Sequence, residues 1–282
     1  MNVDILISTI KSILNDDSIV EKQNVQKGNI TLTGICIGKG NMRPVVYLEN
    51  YEELFNEFGY EKVAREMIDV CNNAESLNVD TDEIASWNYA KRHLIICIAP
   101  KGTNVGSVTI PYLDLELYFR VKLGKEKDRM TSYKVKEEML DRWNVTKETL
   151  LQVALNRTDY IISSMAETIM EILSDDEIPD DIIDSIVNEV PQIIVTNREK
   201  LHGASAIYDK QIFKKIANKY ESDLYIIPSS IHELIVLPVD SSIPLSGINE
   251  MIREVNETQV APEERLSDHV YIFRRDTMEI EW

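Results

Sequence analysis

Between Leu113 and Leu123 the chain alternates without a break: Leu113, Leu115, Leu117, Phe119, Val121 and Leu123 are apolar, with Asp114, Glu116, Tyr118, Arg120 and Lys122 between them. Successive side chains of a strand point to opposite faces, so this period of two predicts a β-strand with one face on a core and the other toward water. A helix has no use for the pattern, because its period of 3.6 would scatter the leucines around the whole cylinder. The simplest structure that exploits such a strand is an antiparallel sheet covered by helices on one side. The expected fold class is therefore α+β, with mixed or antiparallel sheets covered by helices.

The rest of the chain fits that expectation. Val3, Leu6, Ile7, Ile10, Ile13 and Leu14 recur at helical spacing and open the chain with an amphipathic helix. Two short apolar runs, 18–26 and 29–37, flank Lys27-Gly28 as a hairpin, and Pro44 to Leu48 is a third strand. Residues 51–72 read as a helix broken near Gly59, and Leu94 to Ala99 as a strand buried on both faces. The middle is helical: 134–143, then 147–155 behind an N-cap at Thr146, a stripe from Ile162 to Leu173, and a helix over 180–190 with Pro179 in its first turn. Beyond Pro191 come strands at 192–196, 204–208, 224–227 and 233–237, helices at 209–220 and 246–258, and a closing hairpin of 270–274 with 278–281. The expected organisation is an N-terminal α+β part over 1–131, a helical acidic connector over 132–190 that joins the halves, and a C-terminal α+β part over 191–282.

Charge narrows the range of partners. Asp and Glu number 48 against 30 Lys and Arg, a formal net charge of −18, which opposes nonspecific binding to a nucleic-acid backbone or an anionic membrane. The basic stretch from Arg120 to Lys136 is expected to be a solvated hairpin and helix start. The acid is concentrated: from Thr158 to Asn197 there is no Lys, Arg or His, and ten acids give −10 in 40 residues. Asp175, Asp176, Glu177, Asp180, Asp181 and Asp184 form its densest run and are the candidate partner-binding residues, toward a protein with a basic surface. Calcium is disfavoured, since the run lacks the spaced Asp-x-Asp-x-Asp-Gly pattern.

Cys36, Cys71 and Cys97 are widely separated and odd in number, the pattern of buried free thiols in a reducing compartment. No apolar run approaches the length of a membrane span. The expected localisation is cytoplasmic, with no membrane association.

Spacing decides among several chemistries. Gly34-Ile35-Cys36-Ile37-Gly38-Lys39-Gly40 has one residue too few between its glycines for a phosphate loop, and Gly where Ser or Thr must follow the lysine. Ser230 and His232 fall on one face if extended, and with Asp268 as orienter and Glu233 alongside they form the alternative catalytic cluster of a hydrolase or metal-dependent enzyme. No Gly-flanked nucleophile turn accompanies Ser230. His202, His232 and His269, with Glu233 and Asp268 nearby in sequence, would make a zinc site if they converged, yet no pair has local ligand spacing. No metal and no cofactor is therefore expected.

Stretches with individual character are spread over the whole chain: Pro44-Val45-Val46-Tyr47-Leu48, Pro111-Tyr112-Leu113-Asp114-Leu115, Trp143-Asn144-Val145-Thr146 and Ala154-Leu155-Asn156. The last third adds His202-Gly203-Ala204, Pro228-Ser229-Ser230-Ile231-His232-Glu233, Val255-Asn256 and Leu266-Ser267-Asp268-His269-Val270-Tyr271. Together they resemble an uncharacterised family of anaerobic Gram-positive bacteria, often encoded on mobile elements. The resemblance implies bacterial or phage origin and a role dispensable to basic metabolism, and it brings no activity with it. The expectation is a non-enzymatic binding protein of a mobile element or phage that engages a protein partner through an acidic surface.

Overall fold

The structure is a computed structural model that describes residues 1–27, 30–39, 43–75, 81–126, 129–172, 191–240, 242 and 244–282. Two compact units divide between Tyr89 and Ala90. The boundaries expected from the sequence are 131/132 and 190/191.

In the first unit, α1 (Val3–Leu14) starts at Asn2, whose side chain accepts from the Asp4 and Ile5 amides, and stops at Asn15 in the left-handed conformation. Strands β1 (Ile19–Lys27), β2 (Ile30–Gly38) and β3 (Val45–Tyr47) form an antiparallel sheet in that order. The glycine-rich stretch that resembles a phosphate loop is thus part of β2 from Gly34 to Gly38. Helix α2 (Glu52–Glu75) kinks at Gly59, where φ is +72°, the break expected from the sequence. Leu6 and Ile10 of α1, Ile35 and Ile37 of β2, and Val63, Ala64 and Met67 of α2 close one core between the helices and the sheet.

Short helices α3 (Thr81–Ile84) and α4 (Trp87–His93) lead to the second unit. There β4 (Leu94–Pro100), β5 (Thr109–Tyr112), β6 (Leu115–Glu126) and β7 (Arg129–Lys134) make a four-stranded antiparallel sheet centred on β6. The predicted alternating strand is β6. Leu115, Leu117, Phe119 and Val121 are buried on one face, as expected, but Glu116 and Tyr118 on the other face are buried too. The expected wet face is covered.

Helix α5 (Glu137–Trp143) ends in a left-handed Asn144, and α6 (Lys147–Arg157) begins at Thr146, whose Oγ1 accepts from the Thr149 amide. Both caps lie within the stretch Trp143–Thr146. Where a helical stripe was expected from Ile162, the chain instead runs as β8 (Tyr160–Ser164) and turns helical only at α7 (Met165–Ile172). Ser164 and Glu167 cap each other reciprocally: the Glu167 carboxylate accepts from the Ser164 amide and the Ser164 hydroxyl from the Glu167 amide.

The second sheet has six antiparallel strands in the order β13-β12-β10-β11-β9-β8. These are β9 (Ile193–Asn197), β10 (Leu224–Pro228), β11 (Leu234–Pro238), β12 (Tyr271–Phe273) and β13 (Ile280–Glu281), with β8 at one edge. Helix α8 (Lys210–Tyr220), capped by Asp209, sends Phe213 against Phe273 on one face, ring centroids 5.9 Å apart. Helix α9 (Leu245–Thr258) lays Ile248 and Ile252 on Tyr225 and Ile227 of the other face. Strand β10 is therefore buried on both sides, which is why it reads as a continuous apolar run. The fold is α+β with antiparallel sheets.

Residues 204–208, expected as a strand, form a 3-10 turn from Gly203 to Tyr208. His202 enters it in the left-handed conformation, at φ +58°, which directs the chain away from strand pairing.

Candidate functional site

The candidate partner-binding acids Asp175, Asp176, Glu177, Asp180, Asp181 and Asp184 lie outside the described residues, as does the predicted helix over 180–190. Their anchorage is described. β8 pairs with β9 from Tyr160↔Asn197 to Ser164↔Ile193, and the Met165 amide donates to the Gln192 carbonyl at 2.8 Å. The acidic stretch thus begins and ends side by side at one edge of the six-stranded sheet, and both flanks belong to the second unit. Pro191 leads directly into β9.

The alternative catalytic cluster is built differently from its sequence outline. The Ser230 hydroxyl accepts the backbone N–H of His232 at 3.0 Å, a turn-type contact. The His232 Nδ1 accepts the backbone N–H of His202 at 3.2 Å, and Nε2 faces Glu264 Oε1 at 3.2 Å. Because Nδ1 must be the acceptor, the proton sits on Nε2 and is donated to Glu264. Both ring nitrogens are thereby occupied, and Glu264 takes the place assigned to Asp268. Asp268 instead accepts from the Asn256 amide at 2.8 Å. Glu233 contributes its carbonyl, which accepts the Ser230 amide at 3.4 Å.

The histidines separate as well. His202 and His232 are neighbours with ring centroids 5.7 Å apart, while His269 faces Asp114 Oδ2 through Nε2 at 2.9 Å and the Val270 carbonyl through Nδ1 at 3.2 Å. Two acceptors flank that ring, so it donates to both only as an imidazolium. Tyr271 completes the group by donating to Asp114 Oδ1 at 2.7 Å, and burial, with Asp114 beside it, pushes its phenol upward. Among the described residues, no three His, Cys, Asp or Glu side chains gather in a way that could hold a metal ion.

The sequence stretches that carry the resemblance meet in these contacts. Pro111–Leu115 joins Leu266–Tyr271 through Asp114, which ties the β5–β6 turn to the start of β12. His202–Ala204 joins Pro228–Glu233 through the His202 amide on His232 and the Ala204 amide on the Ile231 carbonyl at 3.2 Å. Val255-Asn256 reaches Ser267 and Asp268 through the buried Asn256 amide. Sequence inspection singles out both Asp268 and His269 but not Asp114, since nothing local marks a partner 155 residues away.

His202 is the most perturbed group of this region. Part of the residue reaches solvent, but Nδ1 is enclosed and has no hydrogen-bond partner. Burial, with the charges of Arg120 and Lys134, holds its pKa down at about 3. Between that value and the ordinary imidazole range the unfolded chain binds a proton that the fold refuses, so stability falls as pH falls. Water at the exposed edge trims the penalty, and from pH 7 to pH 5 it amounts to about 1–2 kcal/mol. We expect this acid sensitivity in urea midpoints, and expect His202→Asn, which tolerates the left-handed backbone, to remove most of it. An unchanged pH profile in that variant would contradict the assignment.

A family model described as "Family of unknown function (DUF5688)" matches residues 3–275. No curated protein and no solved structure matches the chain.

Proposed function

Because the chain belongs to DUF5688, a family whose function is unknown, we propose that it is a non-enzymatic, cytoplasmic binding protein of a mobile element or phage. It engages a protein partner with a basic surface through the acidic stretch between Thr158 and Asn197. The observation that carries this reading is the stretch itself, −10 in 40 residues with no base, held at both ends to the β8–β9 edge of a sheet. Charge of one sign, fixed to a rigid element, steers a partner of the opposite sign and accelerates its arrival. No described helix is long and apolar enough to cross a membrane, which agrees with a partner met away from the bilayer core.

The way the reactive side chains are spent supports the non-enzymatic reading. The Ser230 hydroxyl accepts the His232 amide, both ring nitrogens of His232 have partners in the His202 amide and Glu264, and Asp268 accepts from Asn256.

The test is affinity capture from a bacterial lysate at low salt, followed by binding kinetics with each protein retained. Wild type is compared with a variant carrying Asp175, Asp176, Glu177, Asp180 and Asp181 as Asn or Gln. The association rate should fall about tenfold or more in the variant and lose its dependence on ionic strength. Capture of the same proteins at the same rates by both forms would overturn the reading.

A further inference from the structure

Strand β1 forms one edge of the three-stranded sheet, and at nine residues it is longer than any other edge strand among the described residues. The direction of its backbone groups follows from β2. There the Thr33 amide donates to Glu49 Oε1 at 3.0 Å and the Ile37 amide to the Pro44 carbonyl at 3.3 Å, so the odd-numbered residues of β2 turn away from β1. Residues paired with them turn away from β2 in the same way, since facing pairs of an antiparallel ladder alternate between bonded and unbonded. Lys22, opposite Ile35, and Asn24, opposite Thr33, therefore direct an amide and a carbonyl each outward. Both residues are exposed, and among the described residues nothing receives those groups.

Edges of this length are ordinarily guarded by a proline, a bulge or charge. β1 has no proline, its register runs unbroken from Ile19↔Gly38 to Lys27↔Ile30, and the run Gln23-Asn24-Val25-Gln26 is uncharged. The opposite edge of the hairpin is stopped at Thr33 by the Glu49 carboxylate. β3 pairs only with Gly34–Cys36, so among the described residues the hairpin from Asn24↔Thr33 to Lys27↔Ile30 has two strands. Such a ribbon is marginal in water without a third.

We propose that β1 is a dimerisation edge, on which two copies of the chain pair β1 with β1 antiparallel and join their sheets across a two-fold axis at Asn24. A second copy is the occupant because the strand is complementary to itself. With Asn24 on the axis, Glu21 stands opposite the partner's Lys27, Lys22 opposite the partner's Gln26 and Gln23 opposite the partner's Val25, and symmetry supplies each pair twice. Opposite charges facing each other across strands are favourable, and like charges are not. Moving the axis to Lys22 would set that lysine against its own copy, and moving it to Gln23 would set Glu21 against Val25. The bond pattern agrees, because Lys22 and Asn24 carry the outward amides and carbonyls that a partner strand would meet. Acid elsewhere on a chain of −18 pushes copies apart, and one short strand a side is a small interface, so the dimer dissociates on dilution. The edge is separate from the acidic stretch and stands or falls independently of the reading above.

Sedimentation velocity of the full chain over a range of concentrations is the measurement, and the mass should rise from monomer toward dimer. Asn24→Pro leaves the bonds between β1 and β2 in place, because the amide it removes faces outward, and should weaken the dimer about tenfold or more while the far-ultraviolet circular dichroism stays the same. Asn24→Lys, which sets like charges against each other at the axis, should also weaken it and carries the comparison if the proline variant does not fold. Glu21→Lys should weaken the dimer, and Glu21→Lys combined with Lys27→Glu should restore it, an outcome specific to this register. A chain that stays monomeric at every concentration leaves the edge to a strand of some other protein and overturns the proposal. So does a dimer that both Asn24 variants leave unchanged, or one that the double charge exchange fails to restore.

Discussion

Gly203→Ala is expected to destabilise the second unit by about 3 kcal/mol or more, at the upper end of what overpacking costs. A Cβ at Gly203 would stand 2.3 Å from Thr196 Oγ1, 2.5 Å from the Asn197 amide nitrogen and 2.6 Å from the His232 carbonyl oxygen. Two of the three are backbone atoms of elements that cannot give way separately. The Thr196 hydroxyl donates to that same His232 carbonyl at 2.7 Å, so pushing either aside breaks the bond that ties β9 to the approach of β11. The matched control is Gly247→Ala. There the new methyl meets nothing nearer than 3.7 Å, and helix α9 gains a better helix former, for a change between zero and about 1 kcal/mol in the stabilising direction. Urea unfolding of the two variants should move the midpoints in opposite directions. A Gly203→Ala midpoint within about 0.5 kcal/mol of wild type would mean that the turn is looser than described.

Glu116→Ala is the second large effect. The Glu116 carboxylate is buried at 5% exposure and accepts three hydrogen bonds, from the Gly102 and Asn104 amides at 2.9 Å each and from Asn104 Nδ2 at 3.1 Å. It holds in place a loop whose Gly102 and Gly106 both sit at positive φ. Truncation removes the acceptor and strands donors in a dry site, at a cost of about 3–5 kcal/mol. Glu116→Gln keeps the shape but turns one acceptor into a donor facing other donors, and should cost less, about 1–3 kcal/mol. The order of the two midpoints is the check: if the glutamine variant is the less stable, the carboxylate is not held as described.

What the sequence revealed and what it concealed follow from the range of the interactions. Local devices were legible: the Thr146 cap, the break at Gly59 and the period-two pattern of β6 each depend on residues a few positions apart. The burial of Glu116 and Tyr118 was not, because the alternation of β6 contains no trace of what closes its other face, such as the loop whose Gly102 and Asn104 amides bind the Glu116 carboxylate. Residues 162–166 fit a helical stripe and a strand equally well, and pairing with β9 decided for the strand as far as Ser164. Ala204–Tyr208 is apolar enough for a strand, yet the left-handed His202 and the Asp209 cap leave room only for a 3-10 turn. Among the site residues, Ser230 and His232 were found as neighbours. Glu264 and Asp114, their true counterparts and those of His269, come from distant stretches that no spacing rule connects.

The clamp of Asp114 on His269 and Tyr271 spans 155 and 157 residues. On a ribosome adding about 5–20 residues per second, its second half follows the first by about 8–30 s. The first unit, with its own core and its own sheet, is complete in sequence by Tyr89 and does not wait. The second unit does: until residues 269–282 emerge, the β5–β6 turn has no anchor and β10 has no outer neighbour. A chain terminated shortly before His269 would therefore present a finished first half beside an unclosed second half, which is the kind of product that cellular proteases remove.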